Sequence, residues 1–238
     1  AQSAQWNRGA YLVRGLGHCS ACHSTRNALG GSDLMDLSGG MIPMQAWYAP
    51  SLADPDEAGV AHWDTARIVQ LLRTGSTADA SVLGPMAEVV LHSTQYLSDG
   101  DLSAMAVFLK SLPPAPPLPA ARTAPVSAGV VERGARVYAD HCASCHGAQG
   151  QGVGGAYPPL AGNRVVTLPV TANLVQVVIH GGFAPATQGH PRPFGMPPFA
   201  LVLSDADVAA VLTYIRGSWG NRAGTVSELD VAQQRSLR

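Results

Sequence analysis

The sequence predicts an all-α, loop-rich chain of two tandem helical domains, each wrapped around one covalently attached group. Three observations lead there: an internal duplication, an unusual backbone composition, and four cysteines that fall in two identical motifs. Its 238 residues are enough for two domains of about 100 residues each. Only 13% of them are charged, against roughly 25% in ordinary globular chains. With 26 Gly and 18 Pro, much of the backbone is expected to be loop. Such a chain needs more than its own side chains to organise a core, and a buried prosthetic group would supply it.

The duplication sets the elements in order. Arg8-Gly9-Ala10 precedes the first cysteine pair and Arg133-Gly134-Ala135 the second, so each copy opens with a helix leading into its motif. Thr65-Ala66-Arg67-Ile68-Val69-Gln70 then matches Thr171-Ala172-Asn173-Leu174-Val175-Gln176. Both begin apolar helical stretches (Ile68/Leu71/Leu72 and Leu174/Val177/Val178) that stop at Gly75 and Gly181, a C-terminal glycine signal. Leu97-Ser98-Asp99-Gly100-Asp101 matches Leu203-Ser204-Asp205-Ala206-Asp207 at the same offset. Ser98 and Ser204 are good N-caps with Asp three residues on. The third helices place Leu102, Met105/Ala106 and Leu109, or Val208, Val211/Leu212 and Ile215, on one stripe. Between the copies runs Pro113-Pro114-Ala115-Pro116-Pro117-Leu118-Pro119, which favours a semi-rigid polyproline spacer. The expected domains are residues 1–112 and 128–238, with a linker at 113–127 and a C-terminal tail in the second.

The cysteines decide the chemistry. Cys19-Ser20-Ala21-Cys22-His23 and Cys142-Ala143-Ser144-Cys145-His146 are both C-x-x-C-H, the pattern of covalent haem c attachment. Two thiols a helical turn apart reach two vinyl groups on one side of a porphyrin, and the next residue offers its imidazole to the iron. A four-thiolate zinc site would need much closer pairs. A thioredoxin-like motif needs a βαβ setting that is absent, and disulfides within such close pairs would be strained. The expected fold is therefore two tandem class I cytochrome c domains holding two haems. Cys19, Cys22, Cys142 and Cys145 anchor them, and His23 and His146 are the proximal ligands.

Methionine suits the opposite face where the task is electron transfer, because a thioether raises the potential. Met86, in Gly84-Pro85-Met86, and Met196, in Gly195-Met196-Pro197-Pro198, occupy the same interval of the two copies, in Pro-stiffened loops. Met105 reads as core. Met35, Met41 and Met44 fall outside the correspondence, although Met44 in Ile42-Pro43-Met44 competes. His92, His180 and His190 leave histidine ligation open, whereas His18 and His141 read as exposed neighbours of the cysteines.

The residues also resemble a known family, the multihaem cytochrome c subunits of bacterial membrane-bound alcohol and sugar-acid dehydrogenases. The resemblance runs from about residue 6 to residue 222. It is carried by Arg8-Gly9-Ala10-Tyr11-Leu12-Val13 through His23, Trp47-Tyr48-Ala49-Pro50-Ser51-Leu52 and Gly84-Pro85-Met86-Ala87-Glu88-Val89-Val90. Ser93-Thr94-Gln95-Tyr96-Leu97-Ser98, Gly195-Met196-Pro197-Pro198-Phe199 and Tyr214-Ile215-Arg216-Gly217-Ser218-Trp219-Gly220-Asn221 add to it. It implies Met86 and Met196 as distal ligands. It also implies electrons arriving from a dehydrogenase and leaving to a quinone site, an oxidase or another cytochrome. Members commonly have three haem modules, and this chain resembles the last two. The tail after Asn221 shows no strong amphipathic stripe, so a periplasmic two-haem carrier without a membrane anchor is expected.

Charge excludes other classes. The net charge of −1 is no nucleic-acid footprint. Residues 1–112 carry six Lys/Arg against ten Asp/Glu and the remainder nine against six, a polarity that could orient a partner. Lys110 is the only lysine, which excludes a lysine-ringed docking face. No apolar run approaches the roughly 20 residues that span a bilayer, and Ala1-Gln2-Ser3-Ala4-Gln5 reads as the start of a processed, exported chain. An electron carrier of the respiratory chain is thus expected rather than an enzyme. The alternative is a dihaem peroxidase or sulfur-compound oxidoreductase, which needs one open iron. A haem-based gas sensor would usually carry a signalling domain.

Overall fold

The computed structural model describes residues 2–115 and 126–237. Most of the expected linker at 113–127, residues 116–125, lies outside the described residues. Ten α-helices and two two-residue strand pairs are present among those described: α1 (Ala4–Ala10), β1 (Gly40–Met41), β2 (Tyr48–Ala49), α2 (Thr65–Thr74), α3 (Pro85–His92), α4 (Asp99–Lys110), α5 (Ala128–His141), α6 (Ala143–His146), α7 (Arg164–Thr167), α8 (Ala172–His180), β3 (Gly182–Phe183), β4 (Gly195–Met196), α9 (Asp205–Arg216) and α10 (Glu228–Ser236). Both strand pairs are antiparallel, with Gly40 opposite Ala49 and Gly182 opposite Met196. The expected helix-rich, loop-rich architecture is what the chain adopts. No helix among the described residues is long and apolar enough to cross a membrane.

The core falls in two clusters, one drawn from residues 12–109 and one from residues 137–231. The expected stripes are their centres: Leu102 and Ala106 are fully buried in α4, as is Val208 in α9. Burying one such aliphatic side chain is worth about 2 kcal/mol.

Each cluster is closed by the same helix crossing. α1 packs across α4 at Gly9, and α5 across α9 at Gly134. A Cβ on Gly9 would lie 2.0 Å from the Ala104 carbonyl oxygen, and one on Gly134 2.2 Å from that of Ala210. Only glycine permits this approach. Alongside it, Arg8 Nε pairs with Asp101 at 2.7 Å and Arg133 Nε with Asp207 at 2.8 Å. Ser98 and Ser204 cap α4 and α9 as expected, accepting from the Asp101 and Asp207 amides.

The copies diverge between these fixed points. Gly9 precedes Cys19 by ten residues, but Gly134 precedes Cys142 by only eight. The first copy absorbs the excess by widening into a π-helix at Tyr11–Leu16, closed by Gly17 N–H bonding the Leu12 carbonyl at 2.7 Å and by His18 at φ +45°. Inserted residues commonly relax into such π turns near functional sites.

One sequence expectation is corrected, and one segment that the sequence left without an element gains a helix. The interval holding Met86, expected as a loop, is helix α3, with Pro85 in its first turn where a missing N–H costs nothing. The tail after Asn221 contains α10, which packs on α8 and α9 with Val231 fully buried. Its Ser227–Asp230 capping box supplies the start signal.

The two halves of the chain meet through hydrogen bonds outside these clusters. Tyr48 N–H donates to Asn173 Oδ1 and Asn173 Nδ2 donates back to the Tyr48 carbonyl, both at 2.8 Å. Arg164 reaches the Gly59 carbonyl at 2.7 Å and Gln95 the Ala186 carbonyl at 3.2 Å.

Candidate functional site

The two motifs adopt the same local hydrogen bonding. His23 N–H bonds the Cys19 carbonyl and His146 N–H the Cys142 carbonyl, both at 2.9 Å, while Cys22 and Cys145 N–H reach the same carbonyls at 3.2 Å. One helical turn therefore puts both thiols and the imidazole on one side of each segment. No disulfide joins the four cysteines. Burial pushes the Cys19 and Cys142 thiols up to about 11, so both are protonated at neutral pH.

Each histidine is held by a carbonyl that the sequence reasoning missed. His23 Nδ1 lies 2.7 Å from the Pro50 carbonyl, and His146 Nδ1 3.0 Å from that of Pro158. A carbonyl can only accept, so Nδ1 carries the proton and Nε2 presents its lone pair. Desolvation lowers the pKa of both imidazoles and keeps them neutral, the form that ligates a metal. Both carbonyls sit in a Pro-x-Leu tripeptide, Pro50-Ser51-Leu52 and Pro158-Pro159-Leu160. That repeated signal was available in the sequence.

The loops carrying these carbonyls are pinned differently. In the first copy the buried Glu57 carboxylate accepts from the Tyr48 hydroxyl at 2.9 and 3.0 Å and from the Ser51 amide at 2.5 Å. In the second, neutral amides serve: Asn221 donates to the Leu160 and Ile215 carbonyls at 3.0 and 2.9 Å, and Asn163 to Pro159 at 3.0 Å.

Cys19, Cys22, His23 and Met86 line one cavity of about 300 Å³, at the lower end for small-molecule sites. Its walls are mostly apolar, including Ile68, Leu72 and Leu109. Met105, expected as core, is 4% exposed and belongs to the first cluster, yet it also reaches this cavity. Met44 is fully solvent-exposed, and Met35 and Met41 also face outward. His92 pairs with Glu88 at 3.1 Å on the surface. Exposed His18 sits at the cavity rim.

In the second copy Cys142 and Met196 both pack on the core cluster. Met196 lies on β4, where its carbonyl comes so close to Gly181 that a Cβ there would meet it at 2.3 Å. Gly181, at φ +67°, thus ends α8 and lets the Met196 strand pass. His190 pairs with Thr187 in a small bridge, and His141 lies edge-on to Phe199 at 5.9 Å.

Two thiols, a neutral imidazole and a nearby thioether on apolar walls fit covalently held haem, and residues 131–219 match the Cytochrome c family. The chain belongs to the cytochrome c family. Cytochrome c-552 of Thermus thermophilus is 36% identical over 96 residues, covering 37% of this chain and 69% of that protein. More of the chain aligns with dehydrogenase subunits. The cytochrome c subunit of the quinone alcohol dehydrogenase of Gluconacetobacter polyoxogenes is 42% identical over 246 residues, 96% of this chain and 52% of the subunit. The gluconate 2-dehydrogenase cytochrome c subunit of Pantoea cypripedii is 38% identical over 251 residues, 96% of this chain and 55% of the subunit. The chain spans about half the length of these dehydrogenase subunits.

Proposed function

We propose that the chain is a dihaem electron-transfer module of a bacterial dehydrogenase, built as two tandem class I cytochrome c domains at residues 1–112 and 128–238. Cys19 and Cys22 hold one haem and Cys142 and Cys145 the other. His23 and Met86 ligate the first iron, and His146 and Met196 the second. Each bound haem supplies a one-electron Fe(III)/Fe(II) couple. The chain's own residues orient it, exclude water and fix the imidazole tautomer through Pro50 and Pro158. Electrons come from a dehydrogenase on the periplasmic side and pass to a respiratory acceptor, a quinone site, an oxidase or a further cytochrome.

The observation that carries this reading is the shared lining of one cavity by Cys19, Cys22, His23 and Met86, together with the same backbone turn and imidazole–carbonyl bond at Cys142–His146. A filled distal position has no place for peroxide or a substrate.

The test is the visible spectrum of the purified holoprotein, with haem quantified per chain. Two low-spin haems with the far-red methionine–ferric band and no response to hydrogen peroxide are expected. A high-spin fraction that turns over peroxide would replace this reading with the dihaem peroxidase.

A further inference from the structure

The first cavity is not finished by its own half of the chain. Among its described lining residues Arg164 is the only Lys or Arg, and it comes from α7, beyond the spacer. Val165, Leu168 and Asn173 line the same wall. The Arg164 guanidinium lies over the Trp63 ring with its carbon 4.8 Å from the ring centre, and it donates to the Gly59 carbonyl at 2.7 Å. Arg67 stacks on the same indole at 3.5 Å, but Arg67 is neutralised by Asp79. Arg164 forms no ion pair among the described residues. It feels Asp79 and Asp56 only at a distance, and burial and Arg67 both work against its charge.

A half-buried guanidinium that bonds one backbone carbonyl and no carboxylate, at the edge of an apolar cavity, is stabilised when an anion joins it. The one carboxylate among its described lining residues, Glu57, is already engaged by Tyr48 and Ser51. A haem brings two carboxylates of its own, and the planar guanidinium fork matches that group. We propose that Arg164 binds a propionate carboxylate of the haem attached at Cys19 and Cys22, so that the second half of the chain completes the site of the first. This rests on the assignment of that haem made above. Two consequences follow: the seam between the halves sets the potential of the first haem, and a first half produced alone would hold its haem in an altered electrostatic setting.

The experiment is a spectropotentiometric titration of the full-length holoprotein as wild type, Arg164→Gln, Arg164→Lys and Gln95→Ala. Met86→His identifies which reduction wave belongs to the first haem, because replacing a thioether ligand lowers its potential. Removing a nearby positive charge disfavours the reduced state. R164Q is expected to lower that wave's reduction equilibrium roughly tenfold, about 59 mV for one electron, and to leave the other wave in place. R164K, which keeps the charge but loses the fork, is expected to lower it roughly two- to threefold. Q95A, which loosens the seam at a residue outside the cavity lining, should move neither wave. An unmoved first wave in R164Q overturns the proposal, as does an equal displacement in Q95A. If R164Q does not mature, R164K decides alone, an unmoved wave again counting against. Haem content separates this from the underlying assignment: one haem per chain in the wild type sinks that assignment, whereas two haems with an unmoved wave sink only the role of Arg164.

Discussion

The two halves of the chain solve one problem with the same frame and different fittings. The frame is a pair of helices crossing at a glycine, with an Arg–Asp pair beside it, and it is reproduced almost atom for atom at Gly9/Ala104 and Gly134/Ala210. The fittings differ. Met86 stands on a helix and Met196 on a short strand. A buried carboxylate braces the Pro50 loop, while neutral amides brace that of Pro158. After a duplication, the crossing is intolerant because backbone meets backbone. The loops between the crossings can drift, because on the proposed reading thioether attachment would keep each haem in place whatever surrounds it.

The largest expected effect separates the two sites outright. Cys19→Ala/Cys22→Ala and Cys142→Ala/Cys145→Ala should each lose half of the haem, measured as iron per chain, with the remaining haem keeping its low-spin spectrum. Loss of both haems in either variant would show that the halves mature as one unit and would break the comparison.

Next comes the frame itself. A Cβ at either glycine would sit far inside the van der Waals contact of a carbonyl oxygen, and overpacking of that kind costs about 1–3 kcal/mol. Gly9→Ala and Gly134→Ala should therefore lower the denaturation midpoint by similar amounts. Unequal losses would mean that the π turn after α1 lets the first crossing slide open.

These contrasts explain what the sequence could and could not reveal. Helices α2, α4, α8 and α9 lie where periodicity, Ser caps and glycine stops place them, because those signals are local. The matching turns of the two Cys-x-x-Cys-His segments were legible for the same reason, since that spacing fits one helical turn. Helix α3 is hidden in the sequence because Gly84-Pro85 resembles a turn, although proline is at home in a helix's first turn. Helix α10 buries a single residue, Val231, too little to make a stripe. The Pro50 and Pro158 carbonyls lie 27 and 12 residues beyond their histidines, and Arg164 sits 105 residues from Gly59. Such pairings are set by tertiary packing, for which one sequence carries only faint signals such as the repeated Pro-x-Leu.

A smaller effect sharpens the frame comparison. Asp207 accepts from the Ser204 amide and hydroxyl, at 3.1 and 2.6 Å, as well as from Arg133. Asp101 is occupied by Arg8 through both oxygens, at 2.7 and 3.1 Å, and its helix has the Ser98 cap without the reciprocal bond. Asp207→Ala should therefore cost more than Asp101→Ala, by about 1 kcal/mol, the usual worth of a cap. Equal losses in a denaturant titration would reduce both residues to surface ion pairs of little weight.

The smallest effect is a pH dependence peculiar to the first half. Burial raises the Glu57 pKa above its ordinary value, against the partial opposition of the Ser51 and Tyr48 hydrogen bonds, and nearby Asp54 adds to the rise. The folded chain thus binds this proton more tightly than the unfolded chain. The resulting stabilisation is present below the ordinary carboxylate pKa and is lost as pH rises through the raised one. The Pro158 loop is braced by amides that do not titrate, so it contributes no counterpart. Glu57→Gln removes the titration, and its stability relative to wild type should improve as pH rises from the ordinary carboxylate pKa through the raised one. Unfolding midpoints of the two proteins across that range check the sign. A relative stability that falls as pH rises would mean that the carboxylate form is the one the loop prefers, with the Tyr48 and Ser51 donors outweighing burial.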